Sequence, residues 1–343
     1  MSGQCISGFV WNSVVVCDIK WTTVTAVPIF KEKALFRLWK KRRQAGGRIG
    51  LFFGVDGVSV AHYDASLDPP LNQCQWIPGV GLKTPAPLKQ QIDSWGLAGT
   101  LTSVVLSFGD YQLILIEAPD VAESELKEAL RWRVKDLVSF DISTAVVDYF
   151  PLPEDAYRGR SKMLYVVVIP QAHSDQIESF VRDAGLTLDV IDIPELVLMN
   201  LVQLQDGEQN FGQALLCLQE PISCVNLMSE QALYLSRSVE TVEGLVSAQD
   251  PYVEDIASAT ILDIQRSLDY YESQIGKPPC LKLLVCPLQG GETPLLSQFR
   301  QNLGVELEQL DLGELVASRE PLTPELQALT VLAVAGSLRQ EVD

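Results

Sequence analysis

Apolar and polar positions change period repeatedly along the chain, and each change marks an element. In "RIGLFFGVDGVSVAHYD", from Arg48 to Asp64, Ile49, Leu51 and Phe53 alternate with Gly50 and Phe52. The run leads to Asp56-Gly57, a pair that tolerates positive φ in a two-residue turn, so it predicts a hairpin of strands 49–54 and 58–63. Similar apolar runs predict strands at 102–107, 112–117, 145–150, 163–169 and 186–192. Between them "AESELKEALRWRVKDLV" switches to helical spacing, with Leu126, Ala129, Leu130, Val134, Leu137 and Val138 on one stripe. Acids open that segment and bases close it, as a helix dipole prefers. Trp132 stands nearly opposite the stripe, either covered by another layer or exposed as an anchor for a partner.

The second half repeats the logic. Strands at 213–218, 222–228 and 231–236 read as a meander. The longest helix follows, from Val253 to Ile275, where Ala257, Ile261, Ile264, Leu268, Tyr271 and Ile275 step alternately by four and three. A strand at 281–286 precedes "QGGETPLLSQFRQNLG", a Gly-Gly turn leading into a helix. The last helix lies in "TPELQALTVLAVAGSLRQ", with Thr323 as its cap and Pro324 in its first turn. Two rounds of strand–helix alternation indicate an α/β fold, and 343 residues can bury two separate cores.

Charge divides the chain. Residues 1–48 carry nine Lys/Arg against Asp18 and Glu32, a net of +7, which leaves −25 of the total −18 on the remainder. Such a body repels nucleic acid and anionic lipid, so no nucleic acid partner is expected. Contact with an anionic surface falls to a basic arm at 31–43, which ends in Lys40, Lys41, Arg42 and Arg43 and is interleaved with Phe36, Leu38 and Trp39. The leader before it is expected to be disordered. No apolar run reaches the roughly 18 residues of a transmembrane helix, so a soluble or peripheral protein is expected.

Chemistry is sparse. Seven cysteines without a C-x-x-C pair and only two histidines speak against a disulfide framework or a zinc site and for a reducing compartment. The chain contains no P-loop, no complete G-x-G-x-x-G and no G-x-S-x-G. His62 and His173 read as structural. Asp189, Asp192 and Glu195 in "LDVIDIPEL" could hold a metal, but more simply end a strand and cap a helix.

An ordered set of segments carries a resemblance over about Gly47 to Arg339: "ELKEALRWRVKDLVSFDISTAVVDYFPL", "LDVIDIPELVL", "ILDIQRSLDYYESQIG" and "GGETPLLSQFRQNLGV". The chain resembles the PilM family of actin-like cytoplasmic proteins of type IV pilus assembly, and within it the MshI proteins of mannose-sensitive haemagglutinin pili. The resemblance implies an α/β actin-like (ASKHA) two-lobed fold with a small extra α/β subdomain inserted in lobe one. It divides the chain into an N-terminal extension 1–48, lobe one at 49–200 with the subdomain at about 110–170, and lobe two at 201–343. The C-terminal helix, 324–338, packs back at the cleft.

Carried over, "IGLFFGVDGVSV" falls on the first phosphate hairpin. Gly50 and Gly54 match, Phe52 replaces the metal-associated aspartate, and Val55-Asp56-Gly57 replaces a serine-rich turn. The second hairpin falls on "ALLCLQEPISCVNL", where the family's Asp-x-Gly is missing and Pro221 removes a donor. On the adenosine side, Gly290-Gly291 is retained. The resemblance therefore implies a vestigial cleft at Gly50, Gly54, Asp56, Gly57, Gly290 and Gly291, with no catalytic residue, no resident metal and at most residual ATP/Mg binding. It further implies a scaffold at the inner membrane of a Gram-negative bacterium that grips the cytoplasmic tail of a PilN-like protein and meets the assembly ATPase. Trp132, Phe140 and Tyr149 of the subdomain are the candidate contacts. An active ATPase with divergent loops and a type II secretion platform protein are the alternatives.

Overall fold

A computed structural model describes residues 46–157, 162–205, 212–220, 222–241, 253–289 and 293–339. The leader, the basic arm with Lys40 to Arg43, Pro221, Gly290 and Gly291 lie outside the described residues. Lobe one begins with the expected hairpin, β1 (Arg48–Gly54) and β2 (Gly57–Tyr63), in which Gly54 opposes Gly57 across the turn. The next two elements, β3 (Leu71–Pro78) and α1 (Ala86–Trp95), carry a broken apolar pattern that the sequence reading does not resolve. Strands β4 (Leu101–Val105) and β8 (Thr187–Asp192) complete a sheet ordered β3-β2-β1-β4-β8. Its first two pairings are antiparallel and its last two parallel.

Lobe two repeats this arrangement. Its sheet runs β11-β10-β9-β12-β13, built from β9 (Gln213–Cys217), β10 (Ile222–Ser229), β11 (Ala232–Glu240), β12 (Lys282–Val285) and β13 (Glu306–Gln309). In each lobe, therefore, a meander of three strands is extended by two parallel strands on the side of its first strand. Helix α5 (Val253–Tyr270) continues through a π turn at Tyr271–Ile275, and the predicted stripe is on its inner side, with Ile264, Tyr271 and Ile275 fully buried. Helix α6 (Pro294–Asn302) takes its cap from Thr293, and α7 (Leu312–Leu315) is a single turn capped by Asp311.

Between β4 and α3 (Gln171–Asp183) the chain leaves lobe one to form a three-stranded antiparallel sheet, ordered β5-β7-β6. Its strands are β5 (Gln112–Glu117), β6 (Ala145–Pro151) and β7 (Met163–Pro170). Alternation along β7 divides its apolar residues between two cores. Leu164, Val166 and Val168 pack with Leu130 and Val134 of α2 (Glu123–Val134), whereas Tyr165, Val167 and Ile169 join the main core. Arg131 fastens α2 by donating to the carbonyls of Ile142 (2.7 Å) and Ala145 (3.0 Å). Helix α2 stops at Val134, short of the predicted end at Val138, and Leu137 is thereby left 58% exposed instead of continuing the buried stripe.

Helix α8 (Pro324–Ser337) is apolar on all sides and is buried against β1, β2 and β4. Its approach to β1 is so close that a Cβ added to Gly50 would lie 1.9 Å from the Ala333 carbonyl oxygen. A Cβ on Gly336 would meet Val105 Cγ2 at 2.8 Å. Beyond α8, Arg339 pairs with Asp192 at 2.5 Å and so ties the helix to the end of β8. Arg48 at the start of β1 reaches Asp189 at 2.6 Å and Ser103 at 3.1 Å.

The three carboxylates of "LDVIDIPEL" are thus separately engaged, and helix α4 (Pro194–Gln203) has no side-chain cap, contrary to the capping role read from the sequence. Glu195, in the first turn of α4, is 2% exposed and accepts the Tyr111 hydroxyl at 2.6 Å. Its carbonyl accepts Asn226 Nδ2 of β10 at 2.8 Å, so this buried cluster joins the two lobes. Burial, reinforced by the nearby Asp192, pushes the Glu195 carboxyl up to about 7 despite the Tyr111 hydrogen bond.

Two predictions follow from this packing. Gly50→Ala is expected to cost roughly 2–3 kcal/mol, because backbone of α8 has to move; a urea melt within error of wild type would contradict the close approach. For Glu195 the folded-state value lies above the unfolded 4.5, so the folded chain holds a proton that the unfolded chain releases, and stability falls as pH rises from 4.5 through 7. Relative to Glu195→Gln, wild type should lose roughly 2 kcal/mol between pH 5 and pH 8 in chemical denaturation. Parallel pH curves for the two proteins would refute it.

Candidate functional site

The repeated meander brings the β1–β2 turn of lobe one to face the β9–β10 turn of lobe two. Between them is a cleft of about 310 Å³, walled by Val55 and Asp56 on one side and Leu218, Gln219 and Glu220 on the other. Pro287, Leu288 and Gln289 beyond β12 close one end, and Ala328 and Leu329 of α8 form the floor. Phe52 and Trp76 add two aromatic rings to the wall. Among the described lining residues the charged groups are the carboxylates of Asp56 and Glu220, with no Lys, Arg or His.

The first hairpin is shaped by Trp76. A Cβ on Gly54 would come 3.0 Å from the indole, and one on Gly57 would come 2.6 Å from it and 2.5 Å from the Ile77 carbonyl oxygen. Both glycines make room for β3 to lie close across the turn. Asp56 holds that turn through its carbonyl, which accepts the Gly79 N–H at 2.7 Å, while its side chain is exposed. Val55 at the tip is 93% exposed and presents an apolar side chain to the cleft.

In the second hairpin the backbone bonds to side chains of its own lobe. Gln219 N–H donates to Ser223 Oγ at 3.0 Å, and the Gln219 carbonyl accepts Ser223 Oγ at 2.9 Å and Thr241 Oγ1 at 2.6 Å. An N–H already committed in this way is not available to an anion. Taken together, the cleft offers a ligand apolar walls, two amides and two carboxylates. Among the described lining residues it offers a phosphate no cation.

The structure brings together part of the residue set expected from the sequence. Gly54 and Asp56 line the cleft, and Gly57 lies behind the turn under Trp76. Gly50 instead faces α8. Gln289 marks where the chain enters the undescribed Gly290-Gly291. In the subdomain, Trp132 is 67% exposed on the outer side of α2, with Lys135 Nζ 5.5 Å from its ring centroid. Phe140 and Tyr149 pack partly buried against the small core. His62 Nε2 lies 2.9 Å from the Gly46 carbonyl oxygen, and His173 lies 3.5 Å from Asp110.

Sequence reasoning missed Trp76 and the Tyr111–Glu195–Asn226 cluster. The alternation Cys74–Trp76 after Pro69-Pro70 is a weak signal for the first. A lone acid opening "PELVLMNLV", apolar but for Asn200, is the signal for the second.

No protein-family model and no curated protein matches the chain. Solved structures do. The fold is similar to a chain of the PilM-PilN type IV pilus biogenesis complex, with a TM-score of 0.64 and 22% identity over 86% of this chain and 99% of that one. Weaker likenesses reach the cytoplasmic domain of EpsL, an inner-membrane component of the type II secretion system of Vibrio cholerae (TM-score 0.47, 13% identity, 84% and 95% coverage). A Bacteroides thetaiotaomicron protein of actin-like ATPase fold and unknown function scores 0.48 at 11% identity, with 84% and 96% coverage. Two lobes with the same strand order, a cleft between their first hairpins and a subdomain inserted in lobe one give the chain an actin-like fold similar to that of the chain in the PilM-PilN complex.

Proposed function

We propose that the chain is a non-catalytic cytoplasmic scaffold of a type IV pilus inner-membrane assembly platform, of the mannose-sensitive haemagglutinin type. It holds the cytoplasmic tail of a PilN-like bitopic partner through the inserted subdomain and presents that platform to the assembly ATPase. The observation that carries this reading is the end-to-end likeness to a chain of the PilM-PilN complex, which spans 99% of that chain.

The cleft supports the absence of turnover. Among the described lining residues the charged groups are the carboxylates of Asp56 and Glu220, which could meet a magnesium ion but not the phosphates of ATP, and no Lys or Arg is there to meet the phosphates. Phe52 and Trp76 fill wall positions with rings, and the Gln219 donor is already used. The described lining therefore supplies no cation for a triphosphate, which supports a scaffold without turnover.

In the subdomain, β5 is an edge strand whose Leu113, Ile114, Leu115 and Ile116 are all partly exposed. An extended tail could add to that edge, with Trp132 as a separate anchor on α2. Among the described residues no helix is long and apolar enough to cross a membrane, and recruitment to the bilayer then rests on the partner and on Lys40, Lys41, Arg42 and Arg43.

Calorimetric titration tests the reading. The tail peptide of the PilN-like partner should bind with or without ATP/Mg, and ATP alone should give no heat. ATP binding with turnover that Asp56→Ala abolishes would replace the scaffold with an ATPase. Trp132→Ala should weaken the peptide by about tenfold with an unchanged melting curve, as loss of an exposed anchor would; unchanged affinity would remove Trp132 from the contact. Replacing Lys40 to Arg43 with Gln should lower binding to anionic vesicles at low salt, and equal binding would exclude the basic arm as a membrane contact.

A further inference from the structure

The inserted subdomain is bonded to lobe two as well as to lobe one. Strand β11 is an edge of the lobe-two sheet, so the N–H and C=O of alternate residues point away from the sheet. At Ser236 both groups are taken by one side chain of the subdomain: Tyr165 Oη accepts the N–H at 2.9 Å and donates to the carbonyl at 3.0 Å. The loop from Leu152 to Tyr157, on the way from β6 to β7, extends this contact. Asp155 pairs with Lys277, just beyond α5, at 2.5 Å and accepts the Tyr234 hydroxyl at 2.8 Å. Lys277 is 9% exposed on its side chain and stands 4.3 Å from the centroid of the Tyr234 ring, so Asp155 is its carboxylate partner in a half-enclosed site.

Tyr157 completes the contact under strain. Its φ is +57°, in the left-handed region that a bulky residue seldom adopts, and it is nevertheless 2% exposed. Its ring meets Tyr270 of α5 edge-on at 6.3 Å, and the Arg237 guanidinium lies 4.6 Å from the Tyr270 centroid on the same side of lobe two. Backbone in such a conformation persists where the surrounding contacts over-determine it.

We infer that Leu152–Tyr157 together with Tyr165 is an inter-lobe clasp that sets the angle between the lobes. Leu152, Ala156, Tyr157 and Tyr165 pack in the main core, and the bonds they carry across to lobe two are the Tyr165 hydroxyl on Ser236, Asp155 on Lys277 and Tyr234, and the Tyr157 ring on Tyr270. The lobes are also joined by the Tyr111–Glu195–Asn226 cluster and by Leu71 of β3, which exchanges backbone hydrogen bonds with Ala317 (3.2 Å) and Arg319 (3.0 Å). A released clasp leaves that junction as the hinge and changes the gap between the two turns of the cleft. A load applied to the subdomain is thereby transmitted to lobe two.

Hydrogen exchange on the full chain tests this, using Asp155→Asn, Lys277→Met and Tyr165→Phe. Each should speed exchange at least fivefold in 152–157 and 234–237 and also at the junction, in Asp110–Tyr111 and in α4, while denaturant unfolding stays a single transition. Acceleration confined to 152–157 and 234–237 would show a local contact and overturn the clasp. So would exchange unchanged in all segments.

Discussion

Helix α8 can lie on β1 only because Gly50 and Gly336 leave nothing between the two backbones. The rest of lobe one is arranged around that contact. Ser59 Oγ on β2 donates to the Leu329 carbonyl, Cys74 Sγ on β3 reaches Thr330 Oγ1 at 3.2 Å, and Asn200 of α4 donates to the Ala335 carbonyl at 3.0 Å. The same helix then supplies the floor of the cleft through Ala328 and Leu329. One close approach therefore fixes the sheet, the junction with α4 and the depth of the cleft. Gly50, which matches a phosphate-hairpin position by sequence, does its work here as a packing residue.

Both turns of the cleft are held by contacts within the chain. In the first turn, glycine is required by the indole of Trp76, and in the second the Gln219 N–H is held by Ser223. Both effects are local and steric or hydrogen-bonded, and neither depends on a ligand. The electrostatics point the same way, since Asp56 and Glu220 face the same cleft with no lining cation among the described residues.

The subdomain divides its strands between two cores by simple alternation, so it is both a small unit under α2 and part of the main body. That double membership makes it a mechanical link between the lobes. Tyr165 shows the economy of the arrangement: its ring packs on Phe150 at 5.3 Å, and its hydroxyl covers the open edge of β11.

Periodicity alone determined most strands of this protein, the inner face of α5 and the capped start of α8, because burial of one face imposes a period that is read residue by residue. The hairpin at Asp56-Gly57 was legible for the same reason, since turn chemistry is local. The sequence did not determine β3 and α1, whose apolar positions are too irregular to impose a period, or the end of α2, where nothing packs on Leu137. Nor did it reveal that Asp189 and Asp192 answer Arg48 and Arg339, or that Glu195 is buried at the lobe junction. Those partners lie between 84 and 147 residues apart along the chain. Their meeting is a property of the sheet order and of the α8 contact, and only the tertiary structure decides it.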